Sequence, residues 1–217
     1  MKKKNSILFL FCLTAVFAAL FSGCVKVEVS DTKTDSDEQN VSFSELILSR
    51  RSIRSYQPQP VEREKMEEIV KCGIYAPSAL NRQSWEVRIV DNPEFINGVT
   101  ELFKKENPAA ADNPNFKNMF VNAPTVAFIA NDTEFPYSVL DCGLLGENMM
   151  LAAWSMGIGS CCLGGATAFL NSEAAAEYLN RLDFSDGYRL LYCIAFGYPD
   201  ETPSAPPRQP EKVRFID

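Results

Sequence analysis

The chain has 217 residues, 46% of them hydrophobic and 23% charged, which suits one globular domain with short extensions. Its net charge of −7 is the wrong sign for gripping a phosphate backbone, so no nucleic acid is expected as a partner. There is no histidine, which removes Ser-His-Asp and Cys-His catalysis and the commonest metal ligand.

The N-terminus has the layout of a targeting signal. Lys2, Lys3 and Lys4 form a basic start, residues 7–21 are apolar, and Ser22-Gly23 precede Cys24. As a helix the apolar run is about 22 Å long at ~1.5 Å per residue, short of a ~30 Å hydrocarbon core, so it reads as a cleaved segment of residues 1–23. Losing those three lysines takes the mature charge from −7 to near −10. Leu20-Phe21-Ser22-Gly23-Cys24 resembles the lipobox of bacterial lipoproteins, although Phe21 stands where a smaller aliphatic residue is usual. The resemblance implies lipidation of Cys24 and an extracytoplasmic domain anchored to a bacterial membrane, each buried CH₂ contributing about 0.8 kcal/mol. Residues 24–40 then form a flexible tether, polar after Val29, with a reach of roughly 20–25 Å.

The folded domain is expected over residues 41–217. Ser42 and Glu45 make a capping box, with Val41 and Leu46 placed as a hydrophobic staple. Phe43, Leu46 and Ile47 share one face of the helix that follows, and Arg50 and Arg51 end it. Residues 62–75 read as a second helix that Pro77 stops, followed by a turn-rich loop over 76–84. Residues 85–90 alternate as a strand. Asn92-Pro93 caps a helix to about Lys105, and residues 107–118 read as a surface loop. Residues 125–130 suggest a central strand, and residues 138–156 a helix apolar nearly all round, buried in a core or in a subunit interface. A glycine-rich stretch at 157–165, a short helix at 171–179 and a buried strand at 188–196 follow. The proline-rich tail from Pro199 wraps a surface and ends in a short strand near 213–216. Helices and short apolar strands in this order favour a mixed sheet with helices on both faces.

Besides Cys24, five cysteines lie beyond the signal: Cys72, Cys142, Cys161, Cys162 and Cys193. Their odd number and irregular spacing give no disulfide framework, and without CxxC or histidine they give no zinc site. The stretch Arg50-Arg51-Ser52-Ile53-Arg54-Ser55-Tyr56 has two readings. Its guanidiniums offer forked donors to a phosphate, or they form a solvated basic helix end that suits the negative C-terminal dipole. Pro77-Ser78 can be a helix stop, Asn81 a turn residue, Gly164-Gly165 a bend, and Cys161-Cys162 a vicinal redox pair.

Taken together the chain resembles the nitroreductase family of FMN-dependent oxidoreductases, from about Ser42 to Phe215. Four motifs carry the likeness: Arg50-Arg51-Ser52-Ile53-Arg54-Ser55-Tyr56; Ala76-Pro77-Ser78-Ala79-Leu80-Asn81-Arg82-Gln83-Ser84-Trp85; Gly157-Ile158-Gly159-Ser160-Cys161-Cys162-Leu163-Gly164-Gly165; and Pro207-Arg208-Gln209-Pro210. The resemblance implies an α+β fold, a three-layer α-β-α sandwich with a mixed, mainly antiparallel sheet. It also implies a homodimer with FMN sites at the interface. In that scheme Arg50, Ser52, Arg54 and Arg208 hold the FMN phosphate and ribityl chain, with Arg51 contributing through its backbone. Pro77, Ser78, Ala79 and Asn81 come from the other subunit, and Cys162, Leu163, Gly164 and Gly165 line the flavin ring through main-chain groups. No catalytic side chain and no metal are required.

The implied activity is two-electron reduction of nitroaromatics or quinones, with hydride passing from NAD(P)H through flavin N5. The alternative is a membrane-tethered flavin electron-transfer protein or FMN-binding lipoprotein that does not use NAD(P)H and draws, for example, on a quinol. Three departures from the family pattern stand out. Ser84 replaces a proline, loosening the turn without removing a contact. Cys162 replaces a common aromatic, opening the wall of the ring pocket. Asp141 and Glu147 lie near positions where the family often has Gln, and an acid there would discourage anionic substrates or alter nicotinamide docking.

Overall fold

The computed structural model describes residues 42–116 and 118–216. The targeting signal, Cys24, the tether and the Val41 half of the staple lie outside the described residues.

Local sequence chemistry sets the first elements. Helix α1 (Phe43–Ser49) starts on the expected capping box: the Ser42 hydroxyl accepts from the Glu45 N–H at 3.2 Å, and the Glu45 carboxylate accepts from the Ser42 N–H at 2.8 Å. Helix α2 (Arg63–Ile74) buries Met66, Ile69 and Gly73. Strand β1 (Trp85–Val90) leads to helix α3 (Pro93–Glu106), where the Asn92 side chain accepts from the N–H groups of Glu94 and Phe95. One turn, α4 (Pro108–Ala111), interrupts the expected loop, and beyond it Phe116 packs on Phe103 with ring centroids 5.6 Å apart.

Strand β2 (Thr125–Asp132), helix α5 (Ser138–Ser155), strand β3 (Gly159–Leu163), helices α6 (Gly165–Leu170) and α7 (Ala176–Arg181), and strand β4 (Tyr188–Gly197) complete the layers. The sheet order is β1-β2-β4-β3, and each neighbouring pair runs antiparallel. The parallel element is an isolated bridge between Ser52 and Ser160. Alternation along β2 builds both cores. Ala127 and Ile129 pack with Leu145 and Met149 of α5 and Ile69 of α2, while Val126 and Phe128 pack with Phe95 of α3 and Leu170 of α6. This is the expected three-layer α+β sandwich.

Three local expectations change. The helix expected at 171–179 is split: α6 ends at Leu170, the Asn171 side chain donates to the Leu190 carbonyl at 2.9 Å, and a 3₁₀ turn (Glu173–Ala175) precedes α7. The glycine-rich stretch contains strand β3, whose small residues let another segment lie close against it. The tail has a 3₁₀ turn (Pro210–Lys212) and no strand at 213–216, where Val213, Phe215 and Ile216 are exposed. Helix α5 divides its apolar surface. One side buries Cys142, Leu145, Met149 and Ala153, and the other leaves Val139 and Leu140 more than half exposed.

The close approach on β3 is at Gly159. A Cβ there would lie 2.7 Å from Cγ1 and 2.9 Å from Cβ of Ile53, which is fully buried and β-branched. Gly159→Ala is therefore expected to destabilise the fold by about 1–3 kcal/mol, a fall of roughly 2–12 °C in Tm. Thermal unfolding followed by circular dichroism checks this; an unchanged Tm would mean the two segments separate freely.

Candidate functional site

The arginine-rich stretch lies as a strap across the end of the sheet. Arg50 caps α1 through its N–H to the Leu46 carbonyl, and the chain then turns extended. Ile53 and Tyr56 point inward: the Ile53 N–H donates to the Ser160 carbonyl at 2.9 Å, and the Tyr56 hydroxyl donates to the Ile53 carbonyl. Burial pushes the Tyr56 phenol well above its usual value, so it stays a neutral donor. The far side of the strap is clipped to the segment after β4. Gln57 N–H donates to Tyr198 O, Asp200 N–H to Ser55 O, and Tyr56 bridges Pro199, all in a short antiparallel match. Glu201 completes the clip, one carboxylate oxygen accepting from the backbone N–H groups of both Arg54 and Ser55.

With Ile53 and Tyr56 fixed inward, the arginines face out, each with a different partner. Arg50 Nε lies 3.7 Å from the Glu147 carboxylate on α5. Arg51 donates from one nitrogen to the carbonyls of Leu48 and Arg50, both at 2.8 Å. Arg51 thus has the ordinary role of a basic residue at a helix end, satisfying orphan carbonyls. Among the described residues the Arg54 guanidinium makes only a long 3.4 Å contact, to the Ser52 carbonyl, and it is exposed.

Arg54 shares a pocket of about 330 Å³ with Cys161, Cys162, Leu163, Gly164, Gly165 and Ala166. Phe103, Phe116, Asn118 and Met119 form its remaining wall. A Cβ built on Gly164 or Gly165 meets nothing within 4 Å, so space remains beside both main chains. A flavin mononucleotide fits this donor set: a cation for the phosphate, open backbone for ring nitrogens, and an aromatic wall. The sequence reading missed that wall, since four Asn and two Pro mark residues 107–118 as a loop. The available signal was Phe116 and Met119, large apolar residues in a polar stretch.

Adjacent strand residues face opposite sides, which separates the two thiols. Cys161 is buried with Ile53 and Tyr56, whereas Cys162 is exposed, and both are free. This geometry speaks against a vicinal redox pair.

The second motif lies elsewhere in the same chain. Pro77, Ser78, Ala79 and Asn81 do not line the Arg54 pocket, and neither does Arg208, whose guanidinium donates to the Pro206 carbonyl. The loop is compact: the Ser78 hydroxyl accepts from the Gln83 N–H at 3.1 Å, and Asn81 N–H donates to the Ser78 carbonyl. Leu80, Asn81 and Gln83 all have left-handed φ angles of 50–55°. Two departures from the family pattern meet here. Ser84 ties the turn down where loosening was expected, donating to the Asp141 carboxylate at 2.7 Å, and Asp141 also accepts from the Ala79 N–H at 2.9 Å. Asp141 is 1% exposed, so it cannot screen substrates as expected. Glu147, on the same helix, is the ion-pair partner of Arg50, its carboxylate 3.7 Å from Nε and its side chain 46% exposed.

Residues 47–198 match the nitroreductase family, and the chain belongs to that family. A relative from Archaeoglobus fulgidus, named as an NADH dehydrogenase/NAD(P)H nitroreductase, is 30% identical over 161 residues, covering 72% of this chain and 84% of its own length. The NADPH-flavin oxidoreductase of Vibrio harveyi is 28% identical over 175 residues, covering 78% of this chain and 70% of its own. Among solved structures, a nitroreductase with bound FMN from Desulfitobacterium hafniense DCB-2 aligns with a TM-score of 0.71 at 25% identity, over 80% of this chain and 97% of that one.

Thiol chemistry provides a check on the pocket geometry. Burial, then the neighbouring Cys161, pushes the Cys162 thiol above its usual value, so it is protonated at neutral pH despite its exposure. Alkylation of the native protein is expected to be slow at pH 7, to quicken above the ordinary thiol range of about 8.5, and to reach Cys162 well before Cys142 or Cys193. Peptide mapping after timed iodoacetamide pulses reads this. Equal labelling of Cys193, which is fully buried, would overturn it.

Proposed function

We propose that the protein is an FMN-dependent oxidoreductase that reduces nitroaromatics or quinones by two electrons, with NAD(P)H as donor and donor and acceptor using one site in turn. The observation that carries this reading is the pocket shared by Arg54 and the open backbone of Gly164 and Gly165. FMN, when bound, supplies the hydride chemistry at N5. The chain's own part is to hold and tune. Arg50, Ser52, Arg54 and Arg208 hold phosphate and ribityl, Arg51 presents its backbone, and residues 162–165 offer main-chain donors along the ring. Phe103, Phe116 and Met119 exclude water from one side of the pocket. No side chain is needed as a proton donor, which suits a chain without histidine.

The reading includes a homodimer in which Pro77, Ser78, Ala79 and Asn81 reach the partner's flavin. It is supported by their separation from the Arg54 pocket within one chain. Exposed apolar side chains add support: Phe43 and Leu48 of α1, Val139 and Leu140 of α5, and Phe215 and Ile216 of the tail. In competition with phosphate, Arg50 would exchange Glu147 for the cofactor.

The lipobox-like Cys24 supports lipid anchoring outside the cytoplasm, where NAD(P)H is scarce. It favours a second reading in which a quinol or a surface electron-transfer chain supplies the electrons, or in which the protein only binds FMN. Stopped-flow mixing of the FMN-loaded protein with NADH, NADPH and a menaquinol analogue separates the readings. Bleaching by a nicotinamide supports the first, bleaching only by quinol the second, and none with any donor a binding role. A colourless protein that takes up no added FMN overturns all three.

Arg54→Ala and Arg208→Ala are each expected to weaken FMN binding by about 1.5–3 kcal/mol, the loss of a charged hydrogen bond. Titration of apoprotein by flavin fluorescence measures it. Parental affinity in both variants would remove these arginines from the phosphate site.

A further inference from the structure

Asp141 lies in the first turn of α5 with almost no solvent access, and among the described residues no lysine or arginine is within ion-pair distance of it. A buried carboxylate without a cation is costly unless donors meet it. Here the donors come from one loop. Oδ1 accepts from the Ala79 N–H at 2.9 Å and Oδ2 from the Ser84 hydroxyl at 2.7 Å, and the amino-terminal end of α5 adds its favourable dipole. The two donors bracket Leu80, Asn81 and Gln83, the three left-handed residues of the loop. Non-glycine residues leave that conformation when freed, so it persists only where the surroundings fix it. Leu80 adds to the point: 87% exposed, it has no packing of its own to hold it there.

We propose that Asp141 is the positioning residue for the second cofactor motif. Its carboxylate clamps both ends of residues 79–84, so that Asn81 stands ready in its left-handed conformation before the flavin arrives. Because the clamp belongs to α5, the loop is tied to the helix whose outer face carries Val139 and Leu140. In the homodimer proposed above, loop geometry and subunit contact would thereby be coupled. The part concerning the flavin rests on the FMN reading above; the clamp itself does not.

The test uses the full chain and three variants, Asp141→Ala, Asp141→Asn and Ser84→Ala. Hydrogen exchange of the 79–84 amides is measured by mass spectrometry without FMN, and FMN affinity by fluorescence titration. Asp141→Ala is expected to raise exchange across 79–84 by about tenfold or more, leave the 125–132 strand protected, and weaken FMN binding by about tenfold. Asp141→Asn keeps an acceptor for Ala79 and should recover most of both losses; Ser84→Ala should fall between. Should Asp141→Ala fail to fold, Ser84→Ala, which removes one of the two clamp bonds, carries the comparison. Unchanged exchange in Asp141→Ala, or in Ser84→Ala where that variant carries the comparison, would overturn the clamp. Faster exchange with parental FMN affinity would leave Asp141 a structural anchor and overturn its positioning role. A parent that takes up no FMN would sink the functional reading instead, and the exchange arm would still decide whether Asp141 holds the loop.

Discussion

The seat of Ile53 against β3 is the contact on which the rest of the site depends. A fully buried isoleucine contributes about 1.5–3 kcal/mol from its burial alone. Here that burial also fixes direction. With Ile53 and Tyr56 turned inward and the Ile53 N–H on the Ser160 carbonyl, the intervening residues have one way to face. Arg54 is put over the Cys161–Ala166 wall by the side chain next to it. Gly159 is part of the same arrangement, because any side chain at that position would occupy the seat. The outward face of a polar strap is thus set by an apolar contact.

Helix α5 is the second organising element, and its few acids explain its place. An 18-residue helix with apolar residues on most of its surface has no preferred orientation from hydrophobicity alone. Asp141 and Glu147 supply it. One takes the 79–84 loop and the other takes Arg50, so the helix joins the two candidate cofactor motifs of its own chain. The buried face packs on the sheet through Leu145 and Met149, leaving Val139 and Leu140 outside.

What could be read from the sequence was what neighbouring residues decide among themselves. The Ser42–Glu45 box and the Asn92-Pro93 start formed as expected, since each cap is closed within three residues. The period-two alternation of β1 and the apolar run of β2 were equally local signals. Strand β3 was hidden because Gly159-Ser160-Cys161-Cys162 has little strand preference of its own and is defined by pairing with β4. Its neighbour α6 was also missed, starting at the last glycine of that stretch. The acids were the hardest to read. Asp141 meets Ser84 across 57 positions and Glu201 meets Arg54 across 147, and nothing near either residue announces its partner. Arg51 teaches the opposite lesson: in a run of three arginines, one does the commonplace work of closing a helix.

The clip between the strap and Glu201 also has a consequence in time. A ribosome adding about 5–20 residues per second makes Arg54 roughly 7–30 s before Glu201. Until then the strap lacks one of its two supports, and the backbone amides of Arg54 and Ser55 have no carboxylate to meet. The arginine strap, written early into the folded domain, is therefore among the last segments to become rigid. A nascent chain cut short before residue 198 could fold much of its sheet and still hold its arginines on a loose cord.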